Sequence, residues 1–438
     1  MIIMKFGGSS VADAQRIRNV ANIVKLNKSR SPVVVVSALG GVTDSLITLA
    51  THAVENKEKG EFEKLKEKHI TAVKALGLQS SVIDADLKEL KGIIDSVSLL
   101  DELSPRTLDK VVSFGERLSS KIVAAYLSKM GLSAKACNAY DIGLITDSHF
   151  GDADYLPEAE GMINKALSRN KNTIPVITGY IGKDKEGEIT TLGRGGSDYT
   201  ASIVGAAINA GEIQIWTDVD GIMTADPRVV KNAKNLEKVS YSEASELAFM
   251  GAKVLHPKTI LPAIRKNIPV KILNTFNPGH KGTIVLKEIS AKKRIASIAC
   301  KKKIKVININ NPQMLLAHGF LKKVFEAFDN NGISVDMVAT SDVNISVTLD
   351  GKHNIDKVVQ QLERIAQVEV FSNRAKVSLV GKNMAFIPGL FGKMFSAIGD
   401  IEVEMISSSS SEINQSFVVR EEDADKTVRK LHKEFFGR

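Results

Sequence analysis

Five short stretches of this chain carry residue types suited to handling phosphate and carboxylate groups. In the first, an apolar run over residues 1–6 ends in Gly7-Gly8, and helical spacing resumes from Val11. The glycines would let the backbone approach a bulky anion without Cβ interference. N–H groups at the helix start offer an anion site, and Lys5 adds a point charge suited to phosphate. The Walker pattern G-x-x-x-x-G-K-[ST] is absent from the sequence. Alone, the dipeptide also fits an ordinary βα turn with a solvated Lys. The second stretch runs from Ser37 to Thr43 through Gly40-Gly41, after an apolar strand at 32–36. Ser37 and Thr43 either contact a substrate or serve as turn and helix-cap hydroxyls.

The third stretch is SFGERL at 113–118, inside a helix expected from Pro105 to Met130. Val111, Phe114, Leu118, Ile122 and Tyr126 form its apolar stripe, and Glu116 falls roughly 140° from Val111, at the stripe's edge. A carboxylate there could reach a ligand's ammonium group, or it is a solvated Glu beside Arg117. The fourth is GRGGSD at 193–198, three glycines around one Arg at a helix start. Arg can bind a carboxylate through two parallel hydrogen bonds. Ser197 and Asp198 could cap the helix, but the glycine density exceeds what a cap needs. The fifth is Thr217-Asp218, at the end of a strand over 212–216, followed by Asp220-Gly221 and Asp226-Pro227-Arg228. It suits hydrogen bonds to a nucleotide, or an Asp-Gly turn. Further on, Lys253 offers a second cation for phosphate, and His256 before a proline reads as structural.

These residues need elements to position them. Strands are expected at 32–36, 133–137, 174–178, 212–216, 269–273 and 283–286, alternating with helical segments. The glycine turns sit at strand carboxyl ends, where open α/β sheets bind ligands. Residues 60–103 read as a helical, Lys/Glu-rich insertion. A charged linker follows over 287–294, and beyond it the glycine turns stop. Two units then repeat the split βαβ, ferredoxin-like order. The first has a strand at 304–309, a helix at 317–330, strands at 333–339 and 343–349, a helix at 353–365 and a strand at 367–371. The second has a strand at 376–380, a helix at 389–398, strands at 401–405 and 413–419, and a helix at 423–435. It lacks its last strand, and a spare strand at 295–301 is expected to cross over and complete it.

At 438 residues the chain is too long for a single core. Its 43% hydrophobic and 25% charged residues fit a soluble globular protein. The net charge of +9, with scattered Lys and few aromatics, suits anionic small substrates and gives no nucleic-acid signature. No apolar run reaches the roughly 18 residues a membrane helix needs, and the opening core strand excludes a signal peptide. Cys137 and Cys300 fit a reducing cytoplasm, with no disulfide framework and no protein metal site.

Taken in order, KFGGSSV at 5–11, SFGERL, GRGGSD, TDVDGI at 217–222, DPR at 226–228 and GAKVLHP at 251–257 resemble the motifs of the aspartate kinase family. The C-terminal pair resembles that family's tandem ACT domains. The resemblance implies an α/β protein. A three-layer αβα amino-acid-kinase fold with a mostly parallel open sheet (1–287) is followed by two α+β ferredoxin-like ACT units at 303–372 and 373–438. It implies ATP-dependent phosphorylation of the L-aspartate β-carboxylate to 4-phospho-L-aspartate, the step that opens lysine, threonine and methionine synthesis. Mg²⁺ would arrive with ATP. Lys5 and Asp198 are then the catalytic pair, with Gly7 and Gly8 as N–H donors to phosphate. Ser37, Thr43, Glu116, Arg194 and Ser197 line the substrate site. Thr217, Asp218, Met223, Arg228 and Lys253 hold the nucleotide, Met223 standing where the family often has Tyr. The chain resembles the lysine-inhibited monofunctional members most. Their effector site matches Met314, Phe320, Leu321, Ser334, Val335, Asp336, Thr340 and Ser341, with Ala317 and Asp342 where they often have Ser and Glu. Threonine is the alternative effector, and a homodimer or homotetramer through the ACT units is expected. Two rival readings are another kinase of this fold acting on glutamate or acetylglutamate, and a non-catalytic ACT sensor. A Glu116–Arg194 pair fits a free amino acid, and an intact Lys5, Arg194 and Asp198 fit catalysis.

Overall fold

The strand Ile2–Phe6 is buried along its whole length, between Pro32–Val36 and Glu212–Thr217 and parallel to both. Near-continuous apolar runs are what strands covered on both faces require. A computed structural model of the chain describes all residues except 56–59, 170–171, 252–254, 291–292, 313–317, 409–412 and 438. The chain divides into two compact units, the first comprising Met1–Ile222, Glu237–Tyr241 and Val254–Ile289. Its eight-stranded sheet runs Ala134–Cys137, Ile174–Thr178, Pro32–Val36, Ile2–Phe6, Glu212–Thr217, Val270–Asn274, Thr283–Leu286, Lys238–Ser240. The first six strands are parallel, and Thr283–Leu286 opposes Val270–Asn274. The turns after Phe6, Val36, Thr178 and Thr217 therefore gather at one edge.

Two helices depart from their expected form. The first turn after the glycines is a 3-10 turn, Gly8–Val11, and the α-helix begins at Ala14. Asp13 sets that start by accepting the Arg16 N–H at 2.9 Å. The helix expected over 105–130 is broken at Ser113 into Pro105–Val112 and Phe114–Lys129. The Ser113 hydroxyl donates back to the Lys110 carbonyl at 2.7 Å, a bond that competes with helix geometry. The insertion forms the helices Glu61–Ala75 and Asp84–Leu100, which send Phe62, Leu65, Leu87, Leu90 and Ile94 into the main core. Buried Asp86 ties them to Phe114–Lys129, pairing with Arg117 at 2.9 Å and with Lys121.

The second unit comprises Met223–Leu236, Ser242–Lys253 and Ser290–Arg438. Two long antiparallel strands, Arg294–Asn310 and Gln367–Lys382, form the middle of its six-stranded sheet. Residues 304–310 pair with 344–350, residues 374–380 pair with 414–420, and Ile295–Lys301 lie along Lys376–Gly381. Phe320–Asp329 and Asp356–Glu363 close one core, Leu390–Ile398 and Ala424–Phe436 the other. The strands expected from 333 and 401 begin later, at Met337–Thr340 and Met405–Ser408. Ile333 is used otherwise. With Gly332 left-handed at φ 62°, its N–H returns to the Phe328 carbonyl at 3.0 Å and closes the preceding helix. Ser334, Val335 and Asp336 thus precede the strand instead of lying on it. Among the described residues no helix is long and apolar enough to cross a membrane.

Candidate active site

Lys5 stands near the carboxyl end of the central strand, and Asp198 lies in the first turn of Gly196–Ala207. The Lys5 Nζ meets Asp198 Oδ1 at 2.5 Å with both side chains largely buried. The glycine turn next to them differs from expectation in one donor. The Gly7 N–H is taken by the Trp216 carbonyl at 3.2 Å, because the turn is pinned to the neighbouring strand. It is not free for phosphate. The Gly8 N–H makes no hydrogen bond among the described residues.

Glu116 enters this site from the helix side. A Cβ on Gly115 would lie 2.7 Å from the Ala38 Cβ, so the absence of one lets the helix press against the 37–41 turn. Glu116 Oε1 then accepts the Ala38 N–H at 3.0 Å. Its Oε2 has no hydrogen-bond partner among the described residues, and the residue is only 3% exposed. Glu116 is therefore no solvated surface acid. Burial pushes its carboxyl up to about 8, against the pull of the Ala38 N–H, its own backbone N–H and the Lys5 charge. A buried acid with an unfilled acceptor is complementary to a ligand that brings both a donor and a positive charge.

Arg194 lies in the loop between the hairpin strand Ile189–Thr191 and the helix Gly196–Ala207. It is exposed, and its guanidinium is unengaged among the described residues. Gly195 caps that helix without any side-chain bond, so neither Ser197 nor Asp198 serves as the cap. Gly41 likewise caps Val42–Val54, leaving the Ser37 and Thr43 hydroxyls out of capping. Ser197 is buried, while Ser37 and Thr43 are half-buried at the mouth of the second glycine turn.

The expected nucleotide residues fall in two groups. Thr217 and exposed Asp218 end the strand Glu212–Thr217 and bond each other at 3.1 Å. Met223 and Arg228 belong to the second unit. There the Met223 carbonyl accepts the Ser297 hydroxyl at 2.8 Å, and Arg228 forks onto Asp226 at 2.6 to 3.1 Å. Lys253 lies outside the described residues.

The expected effector residues lie within the second unit. Phe320 is buried at the first position of its helix, after Gly319 at φ 78°, and Leu321 beside it is exposed. Ser334 is exposed, Val335 is half-buried, Thr340 ends its strand, and the Ser341 N–H closes onto the Asn344 carbonyl. Met314 lies outside the described residues. Asp336 is largely buried and already carries an ammonium, the Lys301 Nζ at 2.7 Å. Lys301 also lies 3.7 Å from Asp350, and both it and buried Lys376 stand over the Phe249 ring. Burial lowers the Lys376 amine, against the pull of Asp336 and Glu246. Sequence reasoning missed Lys301 because it stands 35 residues from Asp336 and the two meet only in the folded unit.

Known proteins resemble this chain in sequence and fold. The amino acid kinase family matches residues 1–274, and the ACT domain matches 307–364 and again 377–435. Aspartokinase 1 of Arabidopsis thaliana, a chloroplastic protein, is 41% identical over 99% of this chain and 80% of its own length. The lysine-sensitive aspartokinase 3 of Escherichia coli is 33% identical over 100% of this chain and 99% of its own. The crystal structure of E. coli aspartokinase III with aspartate and ADP, in the R-state, superposes with a TM-score of 0.83 at 31% identity, covering 100% of both chains. Its T-state complex with lysine and aspartate gives 0.85 at 31% identity, over 100% of this chain and 99% of that one. The chain belongs to the amino acid kinase family and, within it, to the aspartokinases.

Proposed function

We propose that this chain transfers the γ-phosphoryl group of ATP to the β-carboxylate of free L-aspartate, at a site built on Lys5, Glu116, Arg194 and Asp198. The observation that carries the reading is Glu116, a buried acid with one unfilled oxygen beside a buried Lys–Asp pair. Glu116 receives the substrate ammonium and Arg194 forks onto the α-carboxylate. Ser37, Thr43 and Ser197 complete the shell. These grips fix the backbone of the amino acid and leave its side-chain carboxylate directed at the phosphate. That group has a free pKa near ~3.9, so it attacks as an anion and no base is needed. A new carboxylate O–P bond forms, and the bridging P–O bond breaks with its electron pair leaving on ADP. Lys5 neutralises charge on the transferring oxygens, Asp198 anchors Lys5, and Gly8 offers its N–H. Phosphoryl transfer depends chiefly on such positioning and charge stabilisation. Thr217 and Asp218 contact the nucleotide. Mg²⁺ enters with ATP as part of that substrate.

The second unit is the regulatory part, and lysine is the effector we assign to it. In support, E. coli aspartokinase III has been solved with lysine, and Asp336 is an acid already adapted to hold an ammonium. The effector ammonium replaces Lys301 on Asp336, and Lys301 can fall back on Asp350. Inhibition is then a shift between two states that differ in lysine affinity, in a homodimer or homotetramer working in the cytoplasm. ADP release measured with aspartate, glutamate and acetylglutamate tests the substrate. Only aspartate should support turnover, and turnover with acetylglutamate, whose amine is blocked, would sink the role of Glu116.

A further inference from the structure

Asp109 is a buried acid outside the residues that grip substrate or nucleotide. It lies on the helix Pro105–Val112 and is 3% exposed. Its Oδ2 accepts the N–H groups of Gly151 at 2.9 Å and Thr191 at 2.8 Å. Its Oδ1 accepts the Thr191 hydroxyl at 2.8 Å. Every donor is a peptide or a hydroxyl, and among the described residues no cation pairs with the carboxylate. Burial raises its carboxyl and the three bonds pull it back. A buried carboxylate without a counter-ion is an expensive way to fill space.

Two of the three bonds reach the start of the loop that carries Arg194, and the third reaches the segment packed against it. Thr191 ends the strand Ile189–Thr191, three residues before Arg194. Gly151 precedes Asp152, and Asp152 lies against the same loop: a Cβ on Gly193, which has φ 68°, would come 2.2 Å from Asp152 Oδ1. The start of the loop and the Gly151–Asp152 segment packed beside it are thus tied to one carboxylate. Along its own chain Asp109 leads through the Ser113 break into Phe114–Lys129, where Glu116 projects.

We propose that Asp109 is a positioning residue for the amino acid substrate, setting the separation between Arg194 on its loop and Glu116 on its helix. The inference rests on the reading of those two residues as the grips on aspartate. A misplacement of one grip by about 1 Å is enough to cost roughly a hundredfold. It affects the amino acid and leaves the nucleotide side alone.

The test is steady-state kinetics on the full chain. Asp109→Ala should raise KM for aspartate about tenfold or more, leave KM for ATP within about twofold, and change kcat little. Asp109→Asn keeps an acceptor for the two N–H groups and should recover most of the loss. Thr191→Val removes one donor, keeps the side-chain shape, and should give a smaller rise of the same kind. It decides the matter if Asp109→Ala does not fold. In an Arg194→Ala background, Asp109→Ala should add less than about twofold, since the two act through one contact. Equal rises in both KM values would overturn the inference, as would an unchanged KM for aspartate in Asp109→Ala and Thr191→Val. If Arg194→Ala itself leaves KM for aspartate unchanged, the grip reading fails and takes this inference with it. If Arg194→Ala raises KM and the Asp109 variants do not, the inference alone fails.

Discussion

Glu116 and Asp336 are both buried acids suited to an amino acid's ammonium, one in each unit, and they are satisfied in opposite ways. Glu116 has one oxygen on the Ala38 N–H and, among the described residues, one without a partner. Asp336 is neutralised from within by Lys301 at 2.7 Å. An unfilled buried acceptor costs stability and repays it when the substrate arrives, so the catalytic site is poised. An acid with an internal partner costs less, but its ligand must displace that partner, so affinity is lowered by the strength of the internal pair. The catalytic unit stores the cost in the ligand-free protein, and the regulatory unit stores a competitor.

The largest expected effect breaks the catalytic half. Lys5→Ala should lower kcat roughly a hundredfold to a thousandfold, with a modest change in KM for aspartate. Because the Lys5 charge also pulls the Glu116 carboxyl down, the same variant should move the pH dependence of kcat/KM upward. An unchanged turnover would remove Lys5 from the reaction. A pH profile that does not move would separate Lys5 from Glu116.

Next in size is Glu116→Gln. Losing a charged hydrogen bond of about 1.5–3 kcal/mol should lower kcat/KM for aspartate between about tenfold and somewhat over a hundredfold. In the parent, Glu116 must ionise to receive an ammonium, so kcat/KM for aspartate should rise with pH, reach half its plateau near about 8 and level off above that. Stability should run the other way. The folded pKa lies above the unfolded one, so the folded state holds a proton that the unfolded state has lost between about 4.5 and about 8. Stability from this group is full below that window and declines as pH rises through it. Glu116→Gln cannot titrate. The Tm of the ligand-free variant, relative to the parent, should therefore climb from about pH 5 to about pH 8, and a difference flat in pH would refute the assignment.

The half of this comparison that a sequence can carry is the glycine turns. Ile2–Phe6, Pro32–Val36 and Glu212–Thr217 are apolar runs ending in Gly, Ser or Thr, and a parallel sheet brings such ends to one edge without further information. The burial of Glu116 was not readable. Helical spacing put it at the edge of an apolar stripe, and only the contact of Gly115 with Ala38 closes the site over it. Asp109 was equally hidden, since its partners Gly151 and Thr191 are remote in sequence. The break at Ser113 turns on one hydroxyl orientation. The late start of Met337–Thr340 turns on Ile333 closing a helix, a use that looks the same as a strand residue in an apolar pattern.

The smallest effect would make the two acids alike. Lys301→Met removes the ammonium bonded to Asp336 and keeps much of the side-chain bulk, leaving Lys376 as the nearby charge. Solvent-exposed ion pairs are worth up to about 1 kcal/mol and this one is more buried, so the lysine concentration giving half-inhibition should fall about fivefold, with kcat and KM in the absence of lysine unchanged. Asp336→Ala should abolish lysine inhibition in the same assay, because the seat itself is lost. The two variants thus move in opposite directions from the parent, a pattern that loss of structure in the second unit would not produce. If Lys301→Met instead weakens inhibition, Lys301 takes part in holding the effector, and the competitor reading is wrong. If both variants respond to lysine as the parent does, the effector binds elsewhere.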